Sequence, residues 1–396
     1  MSSGASVLSL WDASLAISAM IPVLIVYLRR IPLDRAFVYF TLIYAGISLI
    51  YMTKFGWLNF TATMRIFLKI LYAYCTIKIV GVAFLHFFAE IVYKLALISI
   101  PLYLIQLVAP ETMMALNGFL EPIIPQVPKG GYDYANSIIF TVNPWGLDRN
   151  SGFMWEPGAF ASMTNVALFF TMVFYGFRIN KRFIVLFLAT ISCFSTTGFL
   201  LLFINMIFLM VNTKPKWVLI FSPLLITGMV LVSQMEFIAG KLSDRVNNSD
   251  HAIESAENYE GEGEGISVGR IGSLILDWND LLYEPLFGYG LQETERTQGK
   301  YSQLVRANGF SDYMVKFGMI GVFFLFYNFS RSFRLLKSIY KARGLFLGVL
   351  LIITLSFSNP LLVSPVFWGF QFLWLAIDKK DMQKFALHYD KQMNIA

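Results

Sequence analysis

Three arginines, Arg149, Arg270 and Arg306, stand in polar stretches that border apolar runs, and two carboxylates, Glu156 and Asp312, stand beside them. A guanidinium presents a flat fork of donors to oxyanions, so three of them at a bilayer suit a diphosphate held at headgroup depth. Arg149 and Glu156 belong to R-N-S-G-F-M-W-E-P, which leads into an apolar run at Pro157. Proline is at home as the first residue of a helix, whose N-terminus favours nearby negative charge. The structural alternative is an interfacial anchor pair, with Arg149 snorkelling and Glu156 capping. Arg270 opens an amphipathic stretch, where an arginine does not help the helix N-terminus and makes more sense beside a phosphate; the alternative is a plain membrane-surface arginine. Arg306 and Asn308 precede Ser311, Asp312, Tyr313 and Lys316. Lys316 reads as a snorkelling side chain near a helix end.

These groups need a frame, and the composition names it. The 396 residues are 57% hydrophobic and only 14% charged, which excludes a water-soluble single domain and predicts a polytopic membrane protein. Apolar windows predict an all-α chain with about eleven spans, near 8–28, 36–53, 70–88, 91–109, 157–177, 183–196, 198–211, 217–234, 311–328, 344–358 and 361–377. The third carries Lys78 and His86, which must face a protein interior or a wet cavity. Cys75 and Cys193 lie in apolar runs and predict no disulfide framework. No lysine or arginine precedes the first run, so that run reads as a retained span.

Basic residues concentrate in short segments on one side, including Arg29, Arg30, Arg35, Lys94, the Arg178–Arg182 turn, the Arg331–Arg343 loop and the tail. The positive-inside rule makes that side cytoplasmic and places two long loops, 110–156 and 235–310, outside. The organisation is then a four-span part (1–109), a first outer loop (110–156), four central spans (157–234), a second outer loop with the amphipathic helix (235–310), and three spans with a tail (311–396). The net charge of +6 follows from this asymmetry and from attraction to anionic lipids, not from binding nucleic acid.

The first loop is rich in proline and glycine and has no room for a long helix. In the second, 247–265 is an acidic, glycine-containing stretch that reads as a solvated linker in preference to a catalytic patch. Ile271, Leu274, Ile275, Trp278, Leu281 and Leu282 then recur at helical spacing, predicting an amphipathic helix at the membrane surface or packed on the bundle. Pro285, Gly288 and Gly290 form a tight turn after it.

At these residues the sequence resembles the O-antigen polymerase and O-antigen ligase superfamily of bacteria, from R-N-S-G-F-M-W-E-P onward. Arg149 to Pro157 is similar to the family's Arg and acidic-Pro segment. Arg270 with P-L-F-G-Y-G (285–290) is similar to its Arg-helix-Pro-Gly-Gly unit, and N-G-F-S-D-Y-M-V-K-F-G-M-I-G (308–321) to its His-Asn or His-Ser segment before Gly-x-x-Gly. The ligase branch has a histidine eleven residues before the first of those glycines, where this chain has Ala307. The resemblance therefore points to the polymerase branch, with a ligase or a flippase as alternatives.

It implies a GT-C-like, metal-independent glycosyltransferase in the inner membrane, without a cofactor. The implied donor is an oligosaccharide on undecaprenyl pyrophosphate, and the acceptor a second lipid-linked repeat unit. A chain-length regulator and a flippase of the same pathway are the implied protein partners, and the bilayer the other. Arg149, Arg270 and Arg306 would hold the diphosphate and take up charge as the sugar–phosphate bond breaks. Glu156 is the first candidate for a base and Asp312 the second, with orientation of an arginine as the favoured role for Asp312; His251 is a distant third. Asn308, Ser311 and Tyr313 are candidate acceptor contacts. The sequence offers no D-x-D motif and no His or Cys cluster on the outer side, which fits catalysis by fixed cations.

Overall fold

The computed structural model describes residues 12–81, 83–120, 135–136, 139–142, 147–213, 267–268, 270–299, 305–306 and 308–376. The expected eighth span (217–234), the acidic stretch 247–265, Ala307, His251 and His388 lie outside them. The described residues are mostly helical: α1 (Asp12–Leu28), α2 (Arg35–Phe55), α3 (Phe60–Val80), α4 (Ala83–Val108), α5 (Pro110–Leu120), α6 (Pro157–Phe174), α7 (Lys181–Ser192), α8 (Thr196–Asn212), α9 (Arg270–Tyr283), α10 (Gly309–Tyr340), α11 (Phe346–Ser356) and α12 (Pro365–Ala376). Two pairs of two-residue strands tie loops together. Among the described residues α2, α4, α6 and α10 are long and apolar enough to cross a membrane. The protein is an all-α membrane protein.

α6 is the axis of the larger core. Every residue from Ala159 to Val173 is buried, against α4, α7, α8 and α11. Its polar groups are satisfied internally, as an apolar surround demands: Ser162 and Thr164 donate back to carbonyls one turn earlier, and Asn165 bonds Gly198 O at 3.1 Å. A second core joins α1, α2, α3 and α12, where the Phe37 and Tyr74 rings stack 3.6 Å apart.

Each expected window within the described residues meets a helix, but the window 70–88 is corrected. α3 ends at Val80, Gly81 takes φ +63°, and α4 starts at Ala83. The apolar run continues across this tight turn, so hydropathy did not mark it. Lys78 and His86 therefore belong to different helices. Lys78 pairs with Asp34 at 2.8 Å, whereas His86 is exposed instead of facing the interior, with the rings of Phe174 and Tyr175 on one side.

Candidate functional site

The site begins with a break in a helix. Gly318, inside α10, has φ 61° and ψ −171°, so the backbone there cannot continue the helical ladder. The turn Pro285–Gly290 supplies the missing partners. Met319 N donates to Pro285 O at 2.8 Å and Ile320 N to Leu286 O at 3.2 Å, while Tyr289 N and Gly290 N donate to Val315 O and Lys316 O at 2.9 Å each. The turn is thus stitched into the gap, and the first turns of α10 are held against α9.

α9 presents an unexpected face to the bundle. Leu274, Ile275, Trp278 and Leu282 of the anticipated apolar stripe are exposed, whereas Ser273, Leu276, Asp277, Asp280 and Leu281 are buried. The two aspartates explain the inversion, because they meet Arg306. Its Nη1 donates to Asp277 Oδ1 and Asp280 Oδ2, and its Nη2 to Thr297 Oγ1 at 2.8 Å. Arg306 has 5% of its side chain exposed and each aspartate 1%. Instead of a free outward guanidinium, Arg306 is a buried cation already neutralised by two carboxylates.

The network continues through α10. Ser311 Oγ donates to Asp277 Oδ2, and Asp312 accepts from Arg296 Nη1 at 2.9 Å and Lys316 Nζ at 2.7 Å. Three cations, Arg296, Arg306 and Lys316, thus face three largely buried carboxylates, Asp277, Asp280 and Asp312. The cluster is close to neutral, so it is not by itself a cationic cradle. Lys316 is an ion-pair partner here, not a snorkelling side chain. Burial pushes the Asp277 carboxyl above the usual aspartate value, against the opposing pull of Arg306 and the Ser311 bond.

Two features mark this cluster as more than a staple. Thr297 has φ 53°, a conformation that costs a β-branched residue about 1–3 kcal/mol. It is held by its own N–H on Asp280 Oδ1 at 2.6 Å and by Arg306. Arg296 is 4% exposed, yet its Nε and Nη2 make no hydrogen bond with a described residue. Two buried guanidinium donors without an acceptor are costly unless another group arrives to use them.

Beside the network lies a polar floor. Arg149 Nε donates to Cys193 O at 3.1 Å, and Arg149 forms no ion pair with a described residue. Glu156 is the N-cap residue of α6 but makes no side-chain capping bond, so the capping expectation is corrected. With its amide turned to donate, Asn359 bonds Glu156 Oε1. A Cβ on Gly158 would lie 3.5 Å from Ser195 Oγ and 3.6 Å from Glu156 Oε1, so these groups converge above that glycine. Gly309, the first residue of α10, packs on the Asn359–Pro360 backbone too closely to admit a Cβ. This contact joins the floor to the charge network.

Of the remaining expected residues, Arg270 starts α9. Asn308 and Ser311 are committed internally: Asn308 Oδ1 caps α10 by accepting from Phe310 N and Ser311 N, at 3.1 and 3.2 Å. Tyr313 is buried against Phe317. Sequence reasoning missed Asp277, Asp280, Arg296 and Asn359. Asp277 and Asp280 had a usable signal, being spaced i, i+3 on one side of α9. Among the described residues no group of three or more His, Cys, Asp and Glu side chains could hold a metal. No family model, curated protein or solved structure matches the chain.

Proposed function

We propose that this chain is a polysaccharide polymerase that transfers a glycan from undecaprenyl pyrophosphate to the non-reducing end of another lipid-linked repeat unit. The proposal includes about eleven spans in a GT-C-like arrangement, an inner-membrane location and a site facing the periplasm. The observation that carries it is the convergence of the three segments on which the resemblance rests. Glu156 reaches Asn359, Asn359 underlies Gly309, and the Pro285–Gly290 turn is stitched into α10 at Gly318. Segments remote in sequence that share one end of a helical bundle are what a composite membrane site requires.

Helix lengths support a recess at that end. α7, α11 and α12 have 12, 11 and 12 residues. At a rise of ~1.5 Å per residue they are about 18 Å long or less, well under the ~30 Å hydrocarbon thickness. Helices this short fit a reading in which the turns carrying Ser195, Ser358 and Asn359 lie below the membrane surface, with Glu156 on the floor of a recess.

In this reading Arg149 and Arg270 hold the diphosphate, with the unused Arg296 donors at the same end, and they absorb charge as the sugar–phosphate bond breaks. Glu156, oriented by Asn359, takes the proton from the attacking hydroxyl. Arg306 positions α9 and the start of α10. Asp312, fixed between Arg296 and Lys316, orients those cations. Pyrophosphate is a good leaving group and needs no separate acid.

The test is direct. Purified protein in detergent, given lipid-linked repeat units, forms a ladder of lengthened glycans, and no ladder under any acceptor condition rejects the reading. Transfer to a lipid A core instead of a second repeat unit identifies a ligase. Movement of lipid-linked glycan across proteoliposomes without lengthening identifies a flippase.

A further inference from the structure

α2 is fastened at both ends and loose between them. Near its start the Phe37 ring stacks on Tyr74, and Phe40 packs on Trp368 and Phe372. Near its end Tyr51 OH donates to Phe287 O at 2.6 Å and to Lys316 O at 3.2 Å. Phe37 and Tyr51 are the only buried residues of its 21. Between the two fastenings runs a groove whose walls are Ile43, Tyr44 and Ile47 of α2 and Phe317, Ile320 and Phe324 of α10.

The dimensions and surroundings of this groove narrow its occupant. From Phe40 to Tyr51 it follows eleven helical steps, about 16 Å at ~1.5 Å each, which is close to half of a ~30 Å bilayer core. It therefore spans one leaflet. Its lips are continuous with the lipid-facing belt: Leu42, Leu49 and Ile50 on α2 and Met319 and Phe323 on α10 are exposed. Its lining is mostly apolar, with Gly290, Leu291 and Tyr313 at the end next to Lys316 and the charge network. Thr63 of α3 and Trp368 of α12 complete the lining.

We infer that the groove between α2 and α10 seats the single isoprenoid chain of the lipid-linked donor, entering sideways from the bilayer, with its diphosphate end leaving the groove at the end of the bundle where Arg149, Arg270 and the Arg296 donors stand. This inference rests on the proposed function for the identity of the chain. Tyr51, bonded to both the Pro285–Gly290 turn and α10, closes the upper end of the slot. α2 is the wall that gives way, since few of its side chains must leave a packed interior for it to move.

The experiment uses the full chain in nanodiscs with undecaprenyl phosphate carrying a photoreactive diazirine on its tail. Cross-links are expected within 43–51 of α2 and 313–324 of α10. Filling the slot by Ile47→Trp or Ile320→Trp should lower labelling about tenfold, whereas Phe323→Ala on the outer face should not. Unlabelled undecaprenyl phosphate should compete and a diacyl phosphatidylethanolamine should not. Cross-links confined to the outward belt, as at Leu24 or Phe346, overturn the inference, and so does equal competition by the diacyl lipid. Labelling in the groove by a protein that makes no glycan ladder keeps the groove and rejects the polymerase. A ladder from a protein labelled only on its outer belt does the reverse.

Discussion

Gly288 and Gly318 meet backbone to backbone: a Cβ on Gly288 would collide with Val315 O, and one on Gly318 with Leu286 O. Both residues also have φ above +60°, a region that side-chain-bearing residues rarely enter. The turn and the broken helix thus form one joint, each leaving room for the other's carbonyls. Gly318→Ala is expected to cost about 2–4 kcal/mol, combining backbone strain with the clash, and to abolish glycan lengthening. Gly46, on the same kind of apolar helix but with open space around it, is the control. Gly46→Ala should leave thermal unfolding in detergent unchanged or slightly later. Equal melting of both variants would refute the joint.

Arg306 and its two aspartates yield a prediction that separates a buried ion pair from a ligand arm. Arg306→Met leaves Asp277 and Asp280 facing each other without a cation, and removing one partner of a buried pair typically costs about 3–5 kcal/mol. Adding Asp277→Asn and Asp280→Asn to the same chain should recover most of the loss in melting temperature. A free diphosphate-binding arginine would behave differently, losing activity at unchanged stability and gaining nothing from the added changes.

The same pair fixes the sign of a pH effect. The Asp277 pKa is raised in the folded protein, mainly by burial, so its contribution to stability is fully present below the ordinary aspartate value. That contribution is lost as pH rises through the raised value. Asp277→Asn removes the penalty of charging the group, and Asp280 still neutralises Arg306. At pH 7 the variant should melt no lower than wild type, and its advantage should shrink as pH falls toward the ordinary aspartate range. An advantage that grows on acidification would contradict the assignment.

Much of this architecture was legible because hydropathy reports burial in lipid directly. α1, α2, α6, α8, α11 and α12 fall where apolar windows place them, whereas α10 runs on to Tyr340, through most of the basic segment expected as the Arg331–Arg343 loop. The α3–α4 boundary was hidden because Gly81 turns the chain without leaving the apolar run. In the loop, the helical period located α9 but misled about its faces. Periodicity assumes that the apolar stripe packs inward, and here an ionic contact with Arg306 outweighs it and leaves Leu274, Ile275, Trp278 and Leu282 exposed. Arg296 and Asn359 could not be found from sequence, since nothing local distinguishes them. Their significance lies only in what they face across the fold.

Arg149 offers a contrast to Arg306, since it makes one bond to a carbonyl and no ion pair with a described residue. Arg149→Ala should lower the rate of ladder formation about 10²–10³-fold, the usual effect of removing one donor from developing negative charge. Arg149→Lys should recover only part, because a lysine keeps the charge but not the planar fork. Thermal unfolding should be nearly the same for all three proteins. A loss of stability matching the loss of rate would mark Arg149 as a structural anchor through Cys193 O.

Glu156 decides whether the floor is chemical or merely structural. Its carboxylate does not cap α6, and Asn359 holds one oxygen while Gly158 leaves space above it. As the base, Glu156 must be ionised when the acceptor hydroxyl attacks, so activity falls at acid pH as it is protonated. Glu156→Gln keeps the size and the possibility of a bond to Asn359 but cannot take a proton. The rate should fall about 10²–10⁴-fold, with melting unchanged. The residual activity should lack the acid limb of the wild-type pH profile. If the limb survives in Glu156→Gln, the proton goes elsewhere, and Glu156 serves only to position Asn359 beneath Gly309.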